Sequence, residues 1–112
     1  LRELENFEIS EIYLDNAFNI NKLAKQLNTN TSYLSSIVNE KKGKTYKQYI
    51  AELRMNYLLN LINKESKYRK YTVEALGNKI GYTNASSFSR SFKNFTGLSP
   101  SEYLNSLNND VT

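Results

Sequence analysis

The stretch Phe88-Ser89-Arg90-Ser91-Phe92-Lys93-Asn94-Phe95-Thr96-Gly97-Leu98-Ser99-Pro100-Ser101-Glu102-Tyr103 decides the fold, because a fainter copy of it occurs earlier in the chain. The earlier copy is Leu34-Ser35-Ser36-Ile37-Val38-Asn39-Glu40-Lys41-Lys42-Gly43-Lys44-Thr45-Tyr46-Lys47-Gln48-Tyr49. At a constant offset, Ser35 aligns with Ser89, Val38 with Phe92, Gly43 with Gly97, Thr45 with Ser99 and Tyr49 with Tyr103. An internal repeat of this kind fixes the architecture. Two copies of one helical unit in a short basic chain suggest a protein that contacts DNA twice.

Length and composition limit the class of protein. The chain has 112 residues, enough for one domain or two very small ones, and 39% of them are hydrophobic. No apolar run approaches the ~20 residues of a membrane span, so we expect no membrane contact by this segment. No signal peptide pattern is present. Because the first residue is Leu1 rather than Met, we expect a fragment of a longer chain.

The chain contains no cysteine and no histidine. Disulfides and metal sites built from Cys or His are therefore excluded. The commonest general base and the thiol nucleophile are also missing, although carboxylate or lysine chemistry remains possible. We expect no cofactor. The lack of cysteine fits a reducing compartment and favours a cytoplasmic protein.

Charge is distributed unevenly along the chain. The net charge is +4, yet five acidic side chains crowd the N-terminus: Glu3, Glu5, Glu8, Glu11 and Asp15. From Asn16 to Asn109 basic side chains outnumber acidic ones strongly. An excess of this kind favours a polyanionic partner such as double-stranded DNA, and a solvated basic surface without a partner is the alternative.

The periodicity predicts an all-α fold, because strands with period two are absent. We expect two helix-turn-helix units joined by a long central helix, with about seven helices in total. The expected boundaries are a lead-in helix and loop over 1–17, a first helix-turn-helix over 18–44, a linker helix over 45–63, a basic connector over 64–71, and a second helix-turn-helix with a C-terminal helix over 72–108.

Capping residues support these boundaries. Asparagine, threonine and serine cap helix N-termini, proline is favoured at the first helical position, and glycine ends helices in the left-handed conformation. The expected caps are Asn19, Thr31, Thr45, Thr72 and Ser99, with Asn84 or Ala85 opening the helix that Gly97 ends, Gly43 ending the equivalent earlier helix, and Pro100 opening the last one.

A family signature is strongest in the second half of the chain, at Ile80-Gly81-Tyr82, Ser86, Phe88-Ser89-Arg90, Phe92-Lys93, Gly97, Ser99-Pro100-Ser101 and Tyr103. Its weaker N-terminal half is matched by Leu23-Ala24, Tyr33-Leu34-Ser35, Gly43, Tyr49, Leu53 and Arg54. With these residues the chain resembles the DNA-binding domain of AraC/XylS-type transcription regulators. The resemblance covers about Phe18 to Leu104. It implies a missing upstream sensor or dimerisation domain, and an effect that is often exerted through contact with RNA polymerase. The chain departs from the family pattern at Gly77 (usually alanine), Asn28 (usually glycine) and Leu104 (often arginine).

The second helix of a helix-turn-helix enters the major groove, and its outward residues near the N-terminus meet base edges. Arg90 is the strongest candidate, because a guanidinium can bind guanine bidentately; a phosphate contact or an intramolecular salt bridge is the alternative. The serines discriminate bases poorly and are equally compatible with solvation. The candidate base contacts are Thr31, Ser32, Ser35 and Ser36 in the first unit, and Ala85, Ser86, Ser89 and Arg90 in the second.

Phosphate contacts fall to lysines and to helix N-termini, where backbone N–H groups can meet an anion. The candidates are Lys41, Lys42, Lys44, Thr45, Lys47, Lys93, Asn94 and Ser99, and for each lysine a solvated charge is the alternative. We expect the apolar residues Phe88, Phe92, Phe95, Leu98 and Tyr103 to lie in the core. The connector with Tyr68 and Tyr71 could imitate a single-strand platform, but packing is favoured.

Three functions are weighed. The leading hypothesis is a sequence-specific double-stranded DNA-binding domain that inserts two recognition helices into adjacent major grooves. Successive grooves lie ~34 Å apart, and a linker helix of about 18 residues spans ~27 Å. The alternative is a helical protein–protein interaction module derived from that fold. An enzyme is the third and weakest hypothesis, because no convergent acid, base or nucleophile is present.

Overall fold

The computed structural model describes residues 2–109, and every regular element of secondary structure in that range is a helix. Leu1, which the sequence placed in the first helix, lies outside the described residues. The α-helices are α1 (Arg2–Ser10), α2 (Ile20–Gln26), α3 (Thr31–Lys42), α4 (Tyr46–Lys64), α5 (Val73–Lys79), α6 (Ala85–Thr96) and α7 (Pro100–Asn109), and short 3₁₀ helices cover Ile12–Leu14 and Ser66–Lys70. The all-α architecture of seven α-helices, with two helix-turn-helix units on either side of α4, is confirmed. None of the described helices is long and apolar enough to cross a membrane.

The repeat appears in the backbone of the two turns. Asn28 and Gly81 both adopt left-handed backbone conformations, with φ of 59° and 98°. In the first turn the Thr29 amide donates to the Ala24 carbonyl at 2.8 Å, and in the second the Tyr82 amide donates to the Gly77 carbonyl at 2.9 Å. Asparagine can replace glycine at this position because its short polar side chain tolerates the left-handed region.

The helices that follow the two turns begin with the same cap. The Asn30 side chain accepts from the Tyr33 amide at 2.8 Å, and the Asn84 side chain accepts from the Ser87 amide at 3.0 Å. The prediction that Thr31 caps α3 is wrong by one residue, because Asn30 satisfies the exposed amide and Thr31 is already helical. Of the two residues proposed to open α6, Asn84 is the cap and Ala85 is the first helical residue.

Helix α4 carries two apolar faces and therefore serves two cores. Tyr49 and Ile50 pack into a first core with α2 and α3, whereas Met55, Leu58 and Ile62 pack into a second core with α5, α6 and α7. At ~100° per residue these two sets lie on roughly opposite sides of the helix. Met55 is fully buried on the face that serves the second core.

The N-terminal segment belongs to the first core. Leu4 and Phe7 of α1 and Tyr13 of the following 3₁₀ helix are buried with Leu23 and Leu34. The expected lead-in over 1–17 is therefore more than a connection, because its apolar side chains cover the first helix-turn-helix and are removed from water there.

Two expectations about the second core are wrong, and one departure from the family pattern has a structural reason. Phe88 and Phe92 are buried, but Phe95 and Leu98 are each 39% exposed. Phe95 lines a groove between α4 and α6 together with Ala51 of α4. Leu104 is 8% exposed in the same core, so leucine at this position adds packing where an arginine would favour a phosphate contact.

The basic connector folds around one tyrosine. Tyr68 is buried in the second core, and the ammonium groups of Lys67 and Lys79 lie 5.2 and 5.3 Å from the centre of its ring. The Tyr71 ring packs beside it, with ring centres 4.9 Å apart. Burial of Tyr68 favours packing over base stacking for this segment.

Candidate nucleic-acid interface

The first candidate recognition helix presents a row of hydroxyl groups. Ser32, Ser35 and Ser36 are exposed on α3 and Thr31 is half-buried, while Leu34 on the opposite side lies in the first core. The four candidate base contacts of this helix therefore share one solvent-facing surface. A hydroxyl both donates and accepts, so this surface can contact any base pair with little preference.

The second candidate recognition helix presents a more discriminating surface. Ala85, Ser86 and Arg90 are exposed on α6, and Ser89 is half-buried between them. Two ion pairs occur among the described residues, and neither involves Arg90. The alternative that Arg90 serves an internal salt bridge is not supported by the structure, which leaves its guanidinium free to bind a ligand.

The lysines near the two helices are not equally available. Lys42 pairs with Glu8 at 3.1 Å and Lys44 pairs with Glu52 at 2.7 Å, so a phosphate would compete with a carboxylate for each of them. Lys41, Lys47 and Lys93 are exposed outside both ion pairs. Asn94 is also exposed, on the turn of α6 next to Lys93.

The N-termini of α4 and α7, both proposed for phosphate binding, differ in the charge of the side chain that caps them. Both caps form reciprocal hydrogen bonds: Thr45 with the neutral Gln48, and Ser99 with the carboxylate of Glu102. The backbone N–H and the hydroxyl of Ser99 hold the pKa of Glu102 below its usual value. The carboxylate of Glu102 thus already occupies the N-terminus of α7, whereas no carboxylate caps the N-terminus of α4 at Thr45.

A groove between the two units brings together residues of α4 and α6. Lys47 and Arg54 of α4 line it together with Arg90 of α6, and Tyr46 lies between them. The Tyr46 hydroxyl is buried without a hydrogen-bond partner, and burial raises its pKa to about 12 while Arg54 partly opposes that shift. In the sequence Arg54 is one residue of the family pattern, and its only other signal is a charged side chain within a helix rich in apolar residues.

The described residues contain no cluster of side chains able to hold a metal ion. What the site offers instead is two exposed helix faces, related by the repeat, with cations around them. This geometry is that of a helix-turn-helix pair, in which the second helix of each unit faces outward.

Comparison with known proteins agrees with this geometry. A family model described as a helix-turn-helix domain matches residues 23–106. The chain belongs to the AraC-type helix-turn-helix family. It is a DNA-binding domain of a transcription regulator.

Relatives of this AraC-type domain are regulators of bacterial operons. The chain is 31% identical to the Msm operon regulatory protein of Streptococcus mutans over 91 residues, which are 81% of this chain and 31% of the relative. It is 30% identical to the melibiose operon regulatory protein of Escherichia coli over 95 residues, which are 85% of this chain and 30% of the relative. The chain thus spans about a third of the length of these relatives.

Solved structures share the fold of the AraC-type domain. The C-terminal domain of AraT, a response regulator from Geobacillus stearothermophilus, superposes with a TM-score of 0.79 at 20% identity, covering 94% of this chain and 82% of that one. A DNA-binding transcriptional dual regulator from Escherichia coli superposes with a TM-score of 0.67 at 25% identity, covering 83% of this chain and 79% of that one.

Proposed function

We propose that this domain binds a specific site in double-stranded DNA by inserting α3 and α6 into adjacent major grooves. In this arrangement the unit over 18–44 reads one half of the site, the unit over 72–108 reads the other half, and α4 joins them. The single observation that carries the proposal is the exposed Arg90, free of internal ion pairs, on a helix equivalent to α3.

The dimensions of the molecule agree with two grooves. The 19 residues of α4 span ~28 Å at ~1.5 Å per residue. The whole domain extends 51 Å along its longest axis and about half that distance across. Successive major grooves on one side of B-DNA lie ~34 Å apart, which fits within the longest axis.

The contacts divide into two classes. Arg90 would bind base edges bidentately, and the hydroxyl groups of Ser86 and Ser89 and the methyl group of Ala85 would line the same groove. The exposed Lys41, Lys47, Lys93 and Asn94, with the N-terminus of α4 at Thr45, would contact phosphates and set the register without reading sequence. Lys42, Lys44 and Ser99 are weaker phosphate candidates, because each is already bound to a carboxylate.

The test is a binding titration of Arg90→Ala and Lys93→Ala on promoter fragments at several salt concentrations. We expect Arg90→Ala to cost about 1–3 kcal/mol on the preferred site and to relax specificity at one position. We expect Lys93→Ala to weaken binding to all sequences alike and to reduce the slope of log K against log salt by about 0.9.

The alternative function predicts a different result. A helical protein–protein interaction module would keep its activity in both variants and would bind DNA without sequence preference or not at all. No observation on the described residues favours this alternative over DNA binding.

The remaining parts of the regulator are proposals drawn from the relatives. Because those proteins are about three times as long as the matched stretch, we propose that sensing or dimerisation lies outside these residues. Contact with RNA polymerase and a cytoplasmic location remain predictions from the resemblance and the composition.

A further inference from the structure

We propose that Arg54 is a positioning residue: it holds the second helix-turn-helix unit at a fixed angle to the first and thereby sets the spacing between the two DNA half-sites. The effect on spacing rests on the function proposed above, whereas the effect on the angle does not. The argument begins from the position of Arg54 on α4, between the residues that serve the first core and those that serve the second.

The first contact of Arg54 is with the N-terminal segment. Its Nε donates to the Tyr13 carbonyl at 2.7 Å, and its Nη2 lies 3.4 Å from the Asp15 carbonyl. Tyr13 is buried in the first core, so its carbonyl is a fixed acceptor. These bonds fasten the segment Glu11–Asp15 to α4, although that segment lies outside the residues matched by the family model.

The second contact of Arg54 is with the turn of the second unit. The guanidinium carbon lies 5.4 Å from the centre of the Tyr82 ring, which in turn packs against Phe88 of α6. Gly81 allows this approach: a Cβ there would lie 2.9 Å from Nη2 of Arg54 and 2.8 Å from the Leu14 carbonyl. One side chain therefore contacts a backbone anchored in the first core and an aromatic ring anchored in the second.

Arg54 supplies directional contacts where few others join the units. Leu14 and Tyr57 pack against both cores, but apolar contacts of this kind tolerate rotation. The contacts of Arg54 do not tolerate rotation, because its planar guanidinium binds fixed acceptors along one edge and packs its face against an aromatic ring. Helix α4 joins the two units but does not by itself fix how one unit is rotated about the helix axis relative to the other. That angle therefore depends on the contacts at this junction.

The first experiment measures the angle without DNA. The chain contains no cysteine, so spin labels can be placed at Asn39→Cys on α3 and Asn105→Cys on α7, both exposed. We expect a narrow distance distribution in the otherwise native protein and a broad one with Arg54→Ala. Arg54→Lys, which keeps the charge but lacks the fork, should give an intermediate width. An unchanged width in Arg54→Ala would overturn the proposal.

The second experiment measures binding to DNA with one or both half-sites. We expect Arg54→Ala to leave the affinity for each isolated half-site within about twofold. Binding to the full site should weaken at least tenfold, because once one unit is bound the other unit has a lower effective concentration at its half-site. We also expect a weaker preference for one spacer length. Equal losses on half-sites and full sites would overturn the role in spacing, since they would indicate a direct phosphate contact or a folding defect.

Two controls separate the possible failures. Tyr82→Leu removes the stacking contact and keeps the hydrogen bonds of Arg54, so it should broaden the distribution of spin-label distances. This variant tests the proposal if Arg54→Ala fails to fold. If the native domain binds a full site no better than a half-site, the proposed two-groove function fails, while the spin-label result still decides the role of Arg54.

Discussion

Two neighbouring tyrosines show how one residue can add stability and another reduce it. The Tyr49 hydroxyl donates to Glu8 at 2.5 Å, whereas the Tyr46 hydroxyl is buried without a partner. A buried hydroxyl that lacks a hydrogen bond keeps its desolvation cost, and one that is bonded recovers it. Lys42 pairs with the same Glu8 carboxylate, so Tyr49 is part of a small network that ties α1 to α3 and α4.

We predict opposite effects for Tyr46→Phe and Tyr49→Phe. Tyr46→Phe should raise the free energy of unfolding by about 1 kcal/mol, and Tyr49→Phe should lower it by about 1 kcal/mol. Urea denaturation at pH 7 measures both, and each variant is the control for the other. Equal effects of the same sign would contradict this account.

The pH dependence of the same pair gives a second measurement. Burial raises the pKa of Tyr46 from 10.0 to about 12. Between these two values the unfolded chain loses the Tyr46 proton more readily than the folded protein does, so the free energy of unfolding falls as the pH rises from 10 to about 12. Tyr46→Phe should therefore lose less stability than the native protein over that interval.

Single residues also mark where sequence reasoning was sufficient and where it was not. Asn28 stands where the family pattern usually has glycine, and its backbone is left-handed like that of Gly81. The burial of Met55 does not follow from the sequence, because α4 serves two cores and no single periodicity describes two opposite faces. The role of Arg54 could not be predicted, since its partners lie far away in the sequence.

At the scale of the element, the two units differ by a compensating exchange in size. Gly77 of α5 lies against Phe88 of α6, and a Cβ at residue 77 would lie 2.9 Å from Cγ of that ring. The equivalent positions in the first unit are Ala24 and Leu34, both in the first core. Glycine thus occurs opposite phenylalanine in the second unit, and the larger alanine occurs opposite the smaller leucine in the first. The glycine that departs from the family pattern has a steric reason.

We predict that Gly77→Ala destabilises the domain despite the better helix propensity of alanine. The gain of ~1 kcal/mol in propensity is opposed by overpacking against Phe88, which costs about 1–3 kcal/mol. Combining it with Phe88→Leu recreates the pair found in the first unit. We expect the double variant to be more stable than the sum of the two single effects by at least ~0.5 kcal/mol.

Thermal and urea denaturation of the three variants measure this coupling. Ala24→Gly combined with Leu34→Phe is the matched exchange in the first unit. Additive effects of Gly77→Ala and Phe88→Leu would show that the two positions are independent and that the short distance to the ring is relieved in another way.

At the scale of the whole molecule, the sequence predicted the architecture and the caps other than Thr31, but not the way the units are joined. The glycines, asparagines and prolines act locally, so their effects can be read from neighbouring residues. The N-terminal segment packs through Leu4 and Phe7 into a core made by later residues, and such long-range packing leaves only a weak trace in the sequence. The candidate base contacts stay a prediction, which follows from helical spacing along α3 and α6.

The two units also differ in what they can read, and this asymmetry gives the last prediction. Ser36 of α3 occupies the position equivalent to Arg90 of α6, and both are exposed. A serine hydroxyl discriminates bases poorly, whereas a bidentate arginine pair contributes about 1–3 kcal/mol of discrimination.

Selection of binding sites from randomised DNA should therefore give one half-site with strong base preferences and one with weak preferences. Arg90→Ser should weaken the strong half, and Ser36→Arg should introduce a preference for guanine in the weak half alone. Lys93→Gln is the control, because loss of a phosphate contact lowers affinity for all sequences without altering either half. Two equally strong half-sites in the native protein, or a change in both halves with Ser36→Arg, would contradict the assignment of one half to each unit.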